Sequence, residues 1–296
     1  MPLISKIQYK NYEPGEFTEE KERTYEDTIH LIESFPWNEQ RDHLAIALTN
    51  PSVTMQGPNY YLKLAPYYHG KFVLYYFNAR KQLYIQSFQH YQDTYPVIKS
   101  FFEDSPELSG FRLEASWFQP NIHHFKTRAF RYSLNPPLAI SGALLMTILL
   151  LAYLTPFVGL LFLPSILHRL LDAVFLGLMG IVLFLLEALF INHYRAASKK
   201  VLIISRGKDL FYYGWEQQPE AFDKKEIRDV IAYGGRNSKG FSRLTRVEIN
   251  FLDGRSIDIS CLIISQVDLL AKFSRDKCRK NKVVFAFIPL SASAPS

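Results

Sequence analysis

Residues 138–166, LAISGALLMTILLLAYLTPFVGLLFLPSI, and residues 170–192, LLDAVFLGLMGIVLFLLEALFIN, decide how this chain is to be read. No Lys, Arg, Asp or Glu lies between Arg131 and Arg169, and each apolar run exceeds the about 20 residues that cover a bilayer core. Apolar residues surround the whole circumference of each predicted helix, where a core helix of a soluble protein shows one stripe. Pro164, Ser165, His168 and Arg169 form a short polar break between the runs. Backbone groups in lipid must be satisfied within their own segment, so the sequence predicts a two-helix transmembrane hairpin over residues 134–195.

The flanks orient that hairpin. Lys126, Arg128 and Arg131 precede it, Arg195, Lys199, Lys200, Arg206 and Lys208 follow it, and the turn carries only Arg169. Basic residues stay on the cytoplasmic side, which places both termini inside and predicts a multi-pass protein of the inner (plasma) membrane.

A chain of 296 residues leaves room for two small domains beside the hairpin. The mean hydropathy of −0.05 averages the apolar middle with polar flanks. A formal charge of +6 and a pI near 9.1 suit an anionic membrane surface, and the basic residues are too scattered to imply nucleic acid. Cys261 and Cys278 have no CxxC or Cys/His spacing, which argues against a disulfide framework or a zinc site and for reduced thiols. The first residues, MPLISKIQYKNYEPGEF, lack the apolar core of a signal peptide.

Residues 1–36 mix charge with scattered aromatics and read as an N-terminal arm, helical in part around Tyr25–Phe35. Residues 37–133 read as an α+β domain. PSVTMQ, YYLKLA, KFVLYYF and QLYIQSF are short strand-like runs separated by turn residues, which predicts an antiparallel meander. DTYPVIKSFFED follows as a helix capped by Asp93 or Thr94, with Val97, Ile98, Phe101 and Phe102 facing the sheet. Both alternating faces of KFVLYYF are apolar, so that strand is either covered on both sides or meets a partner. The order NPSVT, YLKL, GKFVLYYF and a helix ending in FFE resembles small immunity-type domains of bacterial polymorphic-toxin systems over residues 40–103. The resemblance implies partner binding and assigns no residues.

Residues 196–290 read as a second β-rich domain, with a tail over 291–296. VLIISRG, KDLFYYGW, IRDVIAYGG, RVEINFLDG and RSIDISCLI alternate as strands, and Asp253–Gly254 is a hairpin turn. SQVDLLAKFSRDKC reads as an amphipathic helix capped by Ser265, with Val267, Leu269, Leu270 and Phe273 inward, and KVVFAFIP as a closing strand. Glu226, Ile227, Asp229 and Val230, with Val247, Ile249, Phe251, Asp253, Gly254, Ile257, Ile259 and Ser260, form a pattern that resembles the pleckstrin-homology-like (PH-like) domains of bacterial membrane proteins. The resemblance covers residues 200–277 and implies a scaffold for lipid or protein contact without catalysis.

Few residues carry a chemical signal. Glu187 sits inside the second apolar run at a depth matching Ser141 and Gly142, and an intramembrane carboxylate is a functional candidate; as a structural group it hydrogen-bonds or snorkels. Gly177 and Gly180 lie on a small-residue face through which helices could oligomerise. Asp172 is spaced to pair with His168 and Arg169. His123 and His124 adjoin the membrane without a third ligand. GGRNSKGFSR lacks the phosphate-loop pattern, and Arg236, Lys239, Arg243 and Arg246 are read as a basic rim that faces anionic lipid, or else as a solvated turn. No catalytic, cofactor or metal constellation stands out. The sequence thus predicts an α+β membrane protein with two antiparallel-sheet-plus-helix domains flanking the hairpin, non-enzymatic, binding lipids and a protein partner. It acts as an immunity or accessory protein or, alternatively, as a membrane-bound sensor whose C-terminal domain reads lipid or a partner.

Overall fold

In LISKIQ, Leu3, Ser5 and Ile7 alternate with Ile4, Lys6 and Gln8, and this period of two makes the segment a strand with two different faces. The computed structural model describes residues 1–41, 48, 51–114, 122–134, 144, 148, 151–152, 166–234, 244–283 and 285–289. The chain divides into one unit of Met1–Ala129 with Ser205–Lys208, and another of Phe130–Ile204 with Asp209–Ser296.

The first unit is a seven-stranded antiparallel sheet in the order β2-β1-β3-β4-β5-β6-β7. Its strands are β1 (Leu3–Gln8), β2 (Thr18–Arg23), β3 (Ser52–Gln56), β4 (Tyr61–Pro66), β5 (Phe72–Phe77), β6 (Leu83–Phe88) and β7 (Arg112–Leu113). Residues 1–36 are therefore part of the sheet and not an arm, with β1 between β2 and β3. One face carries Leu3, Ile7, Val53, Met55, Leu64 and Leu74. Helices α1 (Tyr25–Ser34), α2 (Trp37–Gln40) and α3 (Tyr95–Phe102) supply Ile32, Trp37, Ile98 and Phe101 to the same core. Thr24 and Asp27 cap α1 reciprocally, the Thr24 hydroxyl accepting from Asp27 N at 3.2 Å. The opposite face buries Tyr61, Ala65, Val73, Tyr75 and Phe77 under Phe125. Every residue of β5 is thus buried within the unit, and its second apolar face is core.

The second unit holds two four-stranded sheets, β11-β10-β9-β8 and β14-β13-β12-β15. They comprise β8 (Arg131–Ser133), β9 (Lys200–Ile203), β10 (Leu210–Trp215), β11 (Gln218–Asp223), β12 (Ile227–Tyr233), β13 (Arg246–Phe251), β14 (Ser256–Ser260) and β15 (Cys278–Asn281). Leu202, Phe211, Phe222, Val230, Ile249 and Phe251 share one core. The Asp253–Gly254 turn joins β13 to β14, with Gly254 at φ +88°, a conformation that favours glycine. Ser265 caps α5 (Gln266–Leu270), accepting from Asp268 N at 3.1 Å. That helix is shorter than the sequence predicts: Leu269 is buried, whereas Val267 is 77% exposed. The closing strand is β15, which runs parallel to β12, and residues 285–289 form no strand.

Strands β8 and β9 are hydrogen-bonded neighbours, with Ser133 opposite Val201, although 66 residues separate them in the chain. Into that gap falls α4 (Ile166–Ala197). The predicted two-helix hairpin is corrected here. Among the described residues, one helix is long and apolar enough to cross a membrane, Ala173–Ala197 within α4, and the rest is mostly sheet. His168 and Arg169 have helical backbone in the first turns of α4, where the sequence predicts the inter-helix break. Most of the first predicted span, Ser141 included, lies outside the described residues.

Ile249 is fully buried at the centre of the second unit. Ile249→Ala should cost about 3 kcal/mol through lost burial and the cavity left behind. Val267→Ala, at an exposed site, should stay within about 0.5 kcal/mol. Denaturant unfolding of the two variants checks the contrast.

Candidate functional site

Helix α4 has two chemically distinct parts. Within Ala173–Ala197 the most apolar 18-residue stretch has a mean hydropathy of 2.7, and 6% of that stretch is buried. Val174, Phe175, Leu178, Ile181 and Phe184 all stand out from the protein, Phe184 at 69% exposure. The last turns reverse this. Leu189, Phe190, His193, Ala196 and Ala197 are buried, at the i, i+4, i+7 spacing of one helix face. Ala197 belongs to the core shared by the two sheets.

Polar side chains lock this end. Asn192 donates through Nδ2 to Ile288 O at 2.9 Å and accepts from Ile288 N at 2.8 Å, so its carboxamide pairs with the backbone as a strand would. His193 is fully buried, with Nε2 at 2.9 Å from Ala286 O and Nδ1 at 2.9 Å from Ser260 Oγ. A carbonyl only accepts, so Nε2 carries the proton. The Ser260 hydroxyl then donates to Nδ1 while accepting from Leu262 N at 3.2 Å. The imidazole is satisfied at both nitrogens, as a buried ring requires.

Beyond the clamp, Arg246 bonds Asp258 at 3.0 Å, approaches Glu248 at 3.6 Å and stacks 4.3 Å from the Tyr233 ring centroid. Burial raises the Asp258 pKa while Arg246 pulls it down. Lys200 lies 5.4 Å from the Tyr213 ring centroid, and burial lowers its pKa. Arg246 is therefore held in an internal ion pair and does not face outward as part of a basic rim. Arg236, Lys239 and Arg243 lie outside the described residues.

The first unit contains a buried polar row that sequence reasoning missed. Lys6, Thr54 and Lys63 stand opposite one another on β1, β3 and β4, and all three are fully buried. Lys6 bonds Gln56 Oε1 at 2.9 Å and Thr127 Oγ1 at 3.1 Å, with Glu20 at 3.5 Å. Lys63 donates to Gln8 Oε1 at 2.8 Å, His124 O at 3.1 Å and Leu48 O. Both ammonium groups approach the Phe17 ring, at 4.7 and 5.8 Å from its centroid. Burial, reinforced by the Lys6 charge, pushes the Lys63 pKa down to about 7. Three oxygen acceptors match its three N–H donors and oppose that shift. The His124 ring is pushed down to about 4, by burial first and then by Lys63 and His123. The missed signal was a lysine at an inward position of each strand, in the runs Ile4-Lys6-Gln8 and Tyr61-Lys63-Ala65.

The remaining predicted residues do not converge. Glu187 is exposed on α4, Ser141 lies outside the described residues, and no atom approaches within 4 Å of a Cβ built on Gly177. Gly180 is half-exposed. No group of three or more metal-ligating side chains occurs among the described residues.

Comparison with known proteins finds a match to a family described as PH domain over residues 131–272. The chain thus carries a PH-like domain, and the match opens at β8, ahead of the insertion. No curated protein and no solved structure matches the chain, and nothing supports the likeness of residues 40–103 to immunity-type domains.

The lysine row yields a pH test. With its folded pKa near 7 and an unfolded value near 10.5, Lys63 binds fewer protons folded than unfolded between those limits. Stability should therefore rise with pH across that window, by about 1.4 kcal/mol per pH unit at most, and be lowest below pH 7. Lys63→Met should flatten the slope, measured by chemical unfolding at pH 6, 8 and 9.5. An unchanged slope would assign it to other groups.

Proposed function

We propose that this chain is a non-enzymatic membrane-associated interaction protein in which α4 holds a PH-like domain against the inner face of a bilayer. The observation that carries the reading is the contrast within α4. Its apolar length is exposed, while its last turns are fixed in the PH-like core by Asn192 and His193. Exposed apolar surface is unfavourable in water by about 25 cal/mol per Å², and lipid removes that cost. The residues that emerge beside the clamp suit an interface: Tyr194, Arg195 and Lys199 are exposed where the apolar stretch ends. Aromatic and basic side chains favour the headgroup level, and basic ones favour the cytoplasmic leaflet.

In this reading the PH-like domain contacts headgroups or a protein partner close to the bilayer, and the first unit supplies a second interaction module. The pairing of β8 with β9 keeps the domain whole, so its attachment to α4 is direct and not through a linker.

Membranes containing the full chain should retain it through high-salt and alkaline carbonate washes. Replacing residues 135–186 by a Gly–Ser linker of about ten residues keeps Leu189–Ala197 and should move the protein to the soluble fraction with its melting transition intact. Release of the full chain by carbonate would refute lipid insertion.

A further inference from the structure

A cleft of about 680 Å³ opens on the first unit at the start of β5, bounded by α2, the turn before β5 and the segment after β6. Its wall is aromatic. Trp37 packs edge-on to Phe72 at 5.2 Å and stacks with Tyr91 at 6.4 Å, while Phe72 meets Tyr91 at 5.5 Å. The Trp37 indole N–H is already spent on Ile32 O at 2.8 Å, so the wall offers rings and the Tyr91 hydroxyl.

The charged donor is Arg41. Its guanidinium carbon lies 4.5 Å from the Phe72 ring centroid, and Arg41 lines the cleft. Nε is shielded from solvent and has no hydrogen-bond partner, and among the described residues no carboxylate pairs with the group. A guanidinium has five N–H donors and a planar fork matched to a carboxylate; Nε is closed to solvent, so it is the terminal nitrogens, without a hydrogen bond among the described residues, that can meet an acceptor from outside the chain. The rim narrows the choice. Glu33 and Glu39 stand exposed at the mouth and oppose ligands of higher negative charge. The volume falls within the about 300–1,000 Å³ typical of small-molecule sites.

We propose that this cleft binds a small aromatic monocarboxylate, its carboxylate on Arg41 and its ring along Trp37 and Tyr91. A phosphate ester suits the site less, because its second charge meets the rim carboxylates Glu33 and Glu39.

The full chain in detergent is titrated with benzoate, phenylacetate and indole-3-acetate, with the amide of each, and with phenyl phosphate, followed by ligand-observed saturation-transfer NMR. At least one acid should bind about tenfold or more tightly than its amide, the discrimination a charged hydrogen bond provides, and more tightly than phenyl phosphate. Arg41→Gln should erase the difference between acid and amide, and Arg41→Lys, which keeps the charge without the fork, should restore part of it. Equal affinities of acid and amide in the unmodified chain overturn the proposal without recourse to any variant. Tighter binding of phenyl phosphate than of every acid, or no binding of any acid at about 10 mM, overturns it as well.

Discussion

The pairing of β8 with β9 is the constraint on which the second unit depends. Three residues, Arg131–Ser133, complete the sheet only if the chain returns to them after the whole insertion. The return is secured at the far end of α4. There, Asn192 takes both backbone groups of Ile288 and His193 joins Ser260 to Ala286. Removing either side chain would leave buried donors and acceptors unmatched, which costs more than the bonds themselves contribute. The clamp therefore fixes the axis of α4 to the sheet, and a displacement of one is felt by the other.

The first unit solves a different problem, that of a sheet covered on both faces. One face is an ordinary apolar core under three helices. On the other, two lysines are buried with amide, hydroxyl and carbonyl oxygens as their main partners, and a single half-exposed carboxylate, Glu20, near Lys6. Two charges in one low-dielectric space repel each other, and the Phe17 ring attracts both. Such an arrangement weakens the fold at neutral pH, and it persists only because every N–H of Lys63 is matched.

Much of the strand pattern was legible because it follows from side-chain alternation. β9, β10 and β12 to β14, the Asp253–Gly254 turn and the Ser265 cap all rest on local rules, and so does α3, although the Thr94 hydroxyl makes no capping bond to it. What escaped depends on distant partners. β2 reads TEEKER, four of its six residues are exposed, and nothing local separates an edge strand from a charged arm. β8 is too short to announce itself, and its partner lies beyond the apolar segment. The PH-like pattern was visible over 200–277, whereas the first strand of that domain was not. Arg246 looked like one of four basic loop residues, and only the cross-strand position of Asp258 reveals it as an internal pair. The Arg41 cleft left no trace in the sequence, since its walls come from three separate segments.

The interruption of the PH-like domain also sets a timetable. During synthesis β8 leaves the ribosome long before β9 exists, and the helix that brings β9 home is itself apolar. Loop-closure entropy alone makes this a modest cost, since it grows only with the logarithm of length. The kinetic burden is heavier, because pairing between strands so far apart is slow and the unpaired edges stand open meanwhile. Maturation of the domain is then gated by placement of α4: until the helix finds its surroundings, β9 has no fixed position, and an incomplete sheet is exposed to chaperones and proteases.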